Sequence, residues 1–242
     1  MSNRQRLDEA LVARGHYASR SRARDAVLRG TVSVDGETMT KPAHHVGPAN
    51  VIVLIDEAQG YVSRAALKLK HALAEFNISP AGRNALDIGA STGGFSQVLL
   101  EQGAAHVTAI DVGHGQMKVT HDRLFSVEGL NARDLAREDL PFPVNLVVCD
   151  VSFISLKLAL PAALGLAEPG ADLIALIKPQ FEVGRAALGK GGLVRDEAAH
   201  ERVCREIEAF IETLGCNVVG VEPSPIAGGD GNREFLIAAR KG

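Results

Sequence analysis

The sequence predicts an α/β fold, a doubly wound and mostly parallel sheet with helices on both faces, preceded by a small α+β domain. Three observations carry this reading. After Tyr61, short apolar strand-like runs alternate with helical segments, the rhythm of repeated strand–helix–strand units. Charge is uneven: residues 1–30 hold seven arginines against three acids, whereas residues 31–60 hold one lysine against four. The length, 242 residues, suits one medium and one small domain.

The elements follow in order. Leu7, Ala10 and Leu11 recur at helical spacing until Gly15 stops the run. Ser19 caps a second helix over about 20–29, with Ala23, Ala26 and Val27 inward, Arg22 and Arg29 outward, and Gly30 at its end. Thr31–Val34 alternates as a strand, Asp35-Gly36 is a hairpin signal, and Val51–Ile55 is a further apolar run. Asp56-Glu-Ala-Gln-Gly60 reads as the connection, and the division is 1–58, a linker at 59–62, and 63–242. Ser63 then caps a helix whose stripe is Ala65, Leu69, Ala72 or Leu73, and Phe76. Strands are expected at 85–88, 106–110, 146–148, 174–177, 218–221 and 235–238.

Composition narrows the function. The chain is 46% hydrophobic and 23% charged with net charge −3, so it is neither disordered nor a polycation, and any nucleic-acid contact needs a local patch. Cys149, Cys204 and Cys216 form no CxxC pair, which fits reduced thiols in the cytoplasm and argues against a zinc site. His44-His45 is an isolated pair, and no metal is expected. No signal-peptide core and no run of ~18 apolar residues is present, so no membrane role is expected.

The segment Asn84-Ala-Leu-Asp-Ile-Gly-Ala-Ser-Thr-Gly-Gly-Phe95 is the most informative. A buried strand ends at Ile88, and Gly89, Gly93 and Gly94 build a tight turn into a helix, as in Rossmann-like folds. No lysine follows the last glycine, so this is no phosphate-binding P-loop, and the spacing misses GxGxxG. Asp111 closes the next strand about twenty residues on, where a carboxylate grips a ribose diol. Nicotinamide and S-adenosylmethionine (SAM) enzymes share that device. Asp87, just before the loop, suits a cofactor bearing an ammonium and a sulfonium and would repel a pyrophosphate.

Four further residues sit where strands meet loops or beside them. Lys68 lies on the helix before the glycine loop, Asp150 ends Leu146-Val-Val-Cys-Asp, Lys178 ends Leu173-Ile-Ala-Leu-Ile-Lys, and Glu234 opens the last strand. Ligands of doubly wound sheets bind outside the carboxyl ends of the strands, where Asp150 and Lys178 should point. Taken singly, each is as easily a snorkelling lysine or a solvated acid.

These residues resemble the TlyA family, often called hemolysin A, along nearly the whole chain. The front is similar to an S-four-like RNA-binding domain in Arg6-Leu-Asp-Glu-Ala-Leu, Gly15, Ser19-Arg20, Ala23, Gly30, Val32-Ser-Val-Asp-Gly36 and Lys41-Pro42. The rear resembles the FtsJ type of methyltransferase. That likeness is carried by Ser63-Arg64 with Lys68-Leu69, the glycine loop, Ile110-Asp-Val-Gly-His-Gly-Gln116 and Asn131-Ala-Arg-Asp-Leu135. It continues in Cys149-Asp-Val-Ser-Phe-Ile-Ser155, Ile177-Lys-Pro-Gln-Phe-Glu182 and Gly231-Asn-Arg-Glu-Phe-Leu236.

The resemblance implies a class I SAM methyltransferase that acts on the ribose 2′-hydroxyl of a cytidine in ribosomal RNA, within a ribosomal subunit. The family's Lys–Asp–Lys–Glu set falls on Lys68, Asp150, Lys178 and Glu234. SAM contacts carry over to Asp87, Gly89, Ser91, Gly94, Phe95 and Asp111, with Asp134 as adenine partner. RNA contacts are expected from Arg6, Arg20, Arg22 and Arg24. Two departures stand out: Ala65-Ala66 where the family often has Gly-Gly, and the linker Gln59-Gly-Tyr-Val62 where one branch has an Arg and a Trp. In the family the choice of subunit follows the length of the termini, so the resemblance, with the short arm before Arg6 and the early end after the last strand, gives large-subunit rRNA alone as the expectation. A non-catalytic RNA-binding shell, a secreted cytolysin and a nicotinamide oxidoreductase are the competing readings. Four intact catalytic positions oppose the first, the lack of a signal or span the second, and the loop spacing the third.

Overall fold

The computed structural model describes residues 4–184 and 188–242, in two units, Met1–Gly60 and Tyr61–Gly242. In the first unit β1 (Gln5–Arg6) leads directly into α1 (Leu7–Ala13), followed by α2 (Arg20–Leu28). Ser19 caps α2 by accepting the Arg22 backbone N–H at 3.4 Å. Strands β2 (Val32–Val34) and β3 (Glu37–Met39) form a hairpin. Its turn has both Asp35 and Gly36 at positive φ, 51° and 88°, as a type I′ turn requires. Strand β4 (His45–Val46) pairs with β1, and β5 (Ile52–Leu54) pairs with β2 on the side away from β3. Leu7, Leu11, Ala23, Val27, Val32 and Val34 form this unit's own core.

The stretch 56–60 is not a bare connection. The side chain of Asp56 is only 1% exposed. It accepts two bonds from the Arg29 guanidinium, at 2.9 and 3.0 Å, and one from the Tyr17 hydroxyl at 2.7 Å. Partners 27 and 39 residues away lie outside any local pattern, so the sequence reads a linker where the structure has a clamp.

In the second unit α3 (Ala66–Glu75) precedes β6 (Asn84–Ile88), α4 (Gly94–Glu101), β7 (His106–Asp111) and β8 (Leu124–Glu128). The chain continues through β9 (Leu146–Cys149), α5 (Leu156–Leu166), β10 (Asp172–Ile177), the single turn α6 (Pro179–Glu182), α7 (Glu197–Thr213), β11 (Cys216–Pro223) and β12 (Phe235–Lys241). The sheet order is β11-β12-β10-β9-β6-β7-β8, parallel from β10 to β8, with β12 antiparallel to both its neighbours. Two expectations need correcting. Strand β8 escaped the sequence reading because Leu-Phe-Ser-Val-Glu lies at the sheet edge and lacks a buried apolar run. Ser63 is not the cap of α3: its hydroxyl accepts from Ala65 N and its carbonyl from Ala66 N, in the turn before the helix.

Period-2 alternation assigns each strand residue to one of two cores. Ala85, Leu146, Val148, Ile174, Leu176, Leu236 and Ala238 pack with Ala66, Leu69, Leu73, Phe95 and Val98 of α3 and α4. Leu86, Ile88, Val147, Cys149, Leu173, Ala175 and Ile237 pack with Leu156, Leu160, Val203, Ile207 and Ile211 of α5 and α7. Burial on both faces explains why these strands read as continuous apolar runs. No helix among the described residues is long and apolar enough to cross a membrane.

Candidate active site

The same alternation builds the site. Asp87 follows Ala85, Asp150 follows Val148, Lys178 follows Leu176, and Glu234 precedes Leu236, so all four continue the face covered by α3 and α4. Strands β6 and β9, first and fourth of this unit, are neighbours, and their carboxyl ends form the topological switch point of the sheet. Asp150 N–H donates to Ile88 O at 2.9 Å, joining the two strand ends. Gly89 turns there with φ 78°, and a Cβ on it would lie 2.8 Å from Asp150 O. The close approach therefore excludes any side chain at this position. Gly94 begins α4 and lies against Ser63, whose Cβ would be 3.0 Å from an added Cβ.

Two lysine–carboxylate pairs close the end of the site. Lys68 Nζ donates to Glu234 Oε2 at 2.5 Å, with both side chains buried. Lys178 Nζ stands 2.7 Å from Asp150 Oδ1 as an ion pair outside hydrogen-bond geometry, and donates to Ser152 Oγ at 2.9 Å. The structure thus brings the expected four together as two pairs at adjacent strand ends. Burial without a partner would make a lysine costly; here each ammonium is matched.

The acids around the loop differ in character. Asp87 is fully buried, and burial pushes its carboxyl up to about 7 although Ser96 Oγ donates to its Oδ2 at 2.6 Å. The charge of Asp150 pushes the same way, and Oδ1 of Asp87 has no partner. Asp111 is half-buried and accepts Ser91 N at 2.8 Å and Gly113 N at 2.7 Å, one on each oxygen. Each of those oxygens keeps a second lone pair for a ligand. Ser91 also donates its hydroxyl to Gln116 at 3.1 Å. Glu128, at the end of β8, accepts the backbone N–H groups of Gly115, Gln116 and Met117 and so fixes the loop after Asp111. Those bonds hold its carboxyl below the usual range.

Other expected residues fall elsewhere. The ring of Phe95 is 3% exposed and belongs to the core beneath α4, so its side chain is packing surface. Asp134 is exposed on a short 3-10 turn after β8. In the first unit Arg6, Arg20 and Arg24 line a cleft of 530 Å³ with Asp8, Ser21, Pro42 and Ala43. Asp8, 1% exposed, orients Arg6 through two bonds at 3.0 Å and Arg20 through one at 3.0 Å. Arg22 is not part of that cleft; its guanidinium donates to Ala58 O at 3.2 Å.

Residues the sequence reading passed over also stand here. Ser152 meets Lys178, Phe153 is 90% exposed with φ 66°, and its ring lies 5.2 Å from that of Phe181. Glu182 accepts from the Ser155 hydroxyl at 2.5 Å and from Leu156 N at 2.8 Å. For Ser152 a signal existed: it lies two residues beyond Asp150, close to a strand-end acid.

The donor set fits a cationic nucleoside ligand. Asp87 and Asp111 flank the loop, Asp87 holds a buried acceptor without a donor, and no basic side chain of the loop waits for a phosphate. A family profile described as FtsJ-like methyltransferase matches residues 61–241, and one described as S4 domain matches residues 5–52. A relative from Mycobacterium tuberculosis, 16S/23S rRNA (cytidine-2′-O)-methyltransferase TlyA, is 44% identical over 99% of this chain and 91% of its own. The chain belongs to the TlyA family of FtsJ-like methyltransferases. A solved structure from Streptococcus thermophilus that carries the hemolysin label shares 40% identity, with TM-score 0.76 over 100% of this TlyA-family chain and 90% of its own. A structure from Listeria monocytogenes described as a SAM-dependent methyltransferase covers 72% of this chain and 100% of its own. It shares the fold at TM-score 0.54 and 17% identity.

Proposed function

We propose that this chain transfers the methyl group of SAM to the 2′-hydroxyl of a cytidine ribose in ribosomal RNA, within a ribosomal subunit in the cytoplasm. The observation that carries the reading is the two lysine–carboxylate contacts, Lys178–Asp150 and Lys68–Glu234, along the sheet edge formed by the ends of β9, β10 and β12, the edge on which the glycine loop follows β6. The name of the M. tuberculosis relative supports the cytidine ribose as target. Bound SAM supplies an electrophilic methyl group on a sulfonium. Asp87, Gly89, Ser91, Gly94, Asp111 and Asp134 are the residues assigned to hold it.

A ribose 2′-hydroxyl is a weak nucleophile near neutral pH, so the protein must align it and manage its proton. Lys178 is assigned to the 2′-oxygen, where it stabilises the developing alkoxide or, entering as the amine, takes the proton. Asp150 orients Lys178, while Glu234 holds Lys68, which positions the ribose. Alignment carries much of the effect, since good orientation is worth ~7–11 kcal/mol. Phe153 offers an exposed ring on which an unstacked base can lie, a contact worth about 1–3 kcal/mol. The cleft of Arg6, Arg20 and Arg24 supports phosphate contacts in the first unit.

The test is tritium transfer from SAM to purified small and large ribosomal subunits, followed by mapping of the modified nucleotide. Lys178→Ala is expected to abolish transfer while a melting curve and SAM titration stay near wild type. Lys178→Arg should also fail, because a guanidinium is planar and is not deprotonated in this range. A folded Lys178→Ala protein with near wild-type transfer would remove Lys178 from the chemistry.

A further inference from the structure

Ser152 stands outside the four residues assigned to the reaction, yet its Oγ lies 2.9 Å from Lys178 Nζ. An ammonium can only donate, so Oγ is the acceptor, and its own hydrogen is directed away from Nζ. Asp150 Oδ1 holds a second side of the same ammonium at 2.7 Å. Among the described residues only the Ser152 bond takes one of the three Nζ donors, while Asp150 Oδ1 fixes the ammonium by charge alone, so donors remain for substrate.

The backbone around Ser152 is built to hold this arrangement. Phe153 adopts φ 66°, a left-handed conformation that is strained for an aromatic residue and persists only where its surroundings impose it. Three residues on, Glu182 receives the Ser155 hydroxyl and the Leu156 N–H, tying the segment after β9 to the segment after β10 that carries Lys178. The two segments are therefore joined at Lys178 and again at Glu182.

We propose that Ser152 is a positioning residue for methyl transfer, which holds and aims the Lys178 amine at the ribose 2′-oxygen. The inference rests on the reading that Lys178 meets that oxygen. Ser152 acts through Lys178 and has no part in holding the cofactor.

A hydrogen bond accepted from an ammonium favours its charged form, and Ser152→Ala removes that preference. The charged groups in the surrounding elements are Asp150 after β9, Asp230 in the turn before β12, Glu234 at the start of β12 with Lys68 of α3, and Asp87 of β6. None of them changes when Ser152 is substituted.

The experiment compares Ser152→Ala, Ser152→Thr and Lys178→Ala in the full chain, with a melting curve for each. Ser152→Ala is expected to lower kcat roughly 10–100-fold, the size of a lost hydrogen bond to a charged group, with KM for the ribosomal subunit and SAM affinity unchanged. The limb of its pH–kcat profile set by Lys178 should move to lower pH. In cofactor-free protein, the pH midpoint for acylation of Lys178 by acetic anhydride, read by peptide mass, should move the same way. Ser152→Thr keeps the hydroxyl and should restore both. Should Ser152→Ala fail to fold, Ser152→Cys, which keeps the shape with a weak acceptor, takes its place. If Lys178→Ala is inactive while the Ser152 variant keeps wild-type kcat and pH profile, the Ser152 proposal is overturned alone. A loss of kcat with no pH shift and no rescue by threonine also overturns it. If Lys178→Ala remains active, it is the reading of Lys178 that falls.

Discussion

Asp87 carries a burden that the fold by itself does not require. It is a carboxyl group with no exposed surface, one hydroxyl donor and one empty acceptor. Its carboxyl, pushed up to about 7 by burial, keeps a proton that the unfolded chain releases near pH 4. The folded state thus binds the extra proton between about pH 4 and pH 7, and stability falls as pH rises through that window. Asp87→Asn removes the ionisation, so it is expected to raise Tm by roughly 2–4 °C at pH 8 and to leave Tm little changed at pH 4. The same variant should bind SAM more weakly, because the acid that suits a cation is gone. Thermal melts at the two pH values and a SAM titration check both parts, and a lower Tm at pH 8 would contradict the burial argument. The type and place of this residue were legible in the sequence as a strand-end acid before a glycine turn. Its isolation from any donor but Ser96 was not, since α4 supplies that contact only after it packs.

Among the elements, α2 and the turn that precedes it show how a charge run divides in three dimensions. The three arginines of α2, Arg20, Arg22 and Arg24, read alike in sequence, yet the helix presents them differently. Arg20 and Arg24 line the cleft with Arg6, whereas Arg22 donates to Ala58 O. Arg24→Ala is expected to weaken rRNA binding and to lower the salt slope of log K by about 0.7–0.9, the value of one phosphate contact. Arg22→Ala should move the slope less. Filter binding across a salt series distinguishes them, and equal slopes for the two variants would mean that the cleft is not where phosphate sits. Strand β8 gives the complementary lesson. Its sequence is too polar to announce a buried strand, but its pairing with β7 brings Glu128 opposite Asp111 and so fixes the loop beside the glycine turn.

For the whole molecule, each hydrophobic cluster draws its residues from one unit only. Leu7 to Leu54 supply the core of the first, and the two cores of the second begin at Tyr61. A fragment of residues 61–242 is therefore expected to fold alone, to melt cooperatively close to the larger transition of the full chain, and to bind SAM. Transfer to ribosomal subunits should fall by at least roughly tenfold through KM, since the arginine cleft is absent. Calorimetry and the tritium assay on the fragment test this, and an unfolded fragment would show that the second unit needs the first.

The sequence by itself determined the α/β class, the position of the glycine turn, and the strand-end placement of Asp150, Lys178 and Glu234. These depend on local rules, because a strand buried on both faces must be apolar throughout and its first polar residue marks its end. Alternation along the observed strands then places them on one face of the sheet. Tertiary structure alone decided which lysine meets which acid, that Ser152 and Glu182 brace the Lys178 segment, that Asp56 is a clamp, and that Arg22 stands apart from the cleft. Each of those depends on partners 26 to 166 residues apart. Such pairings leave no periodic trace in the chain, and they form only when packing fixes the strand order and brings the ends together.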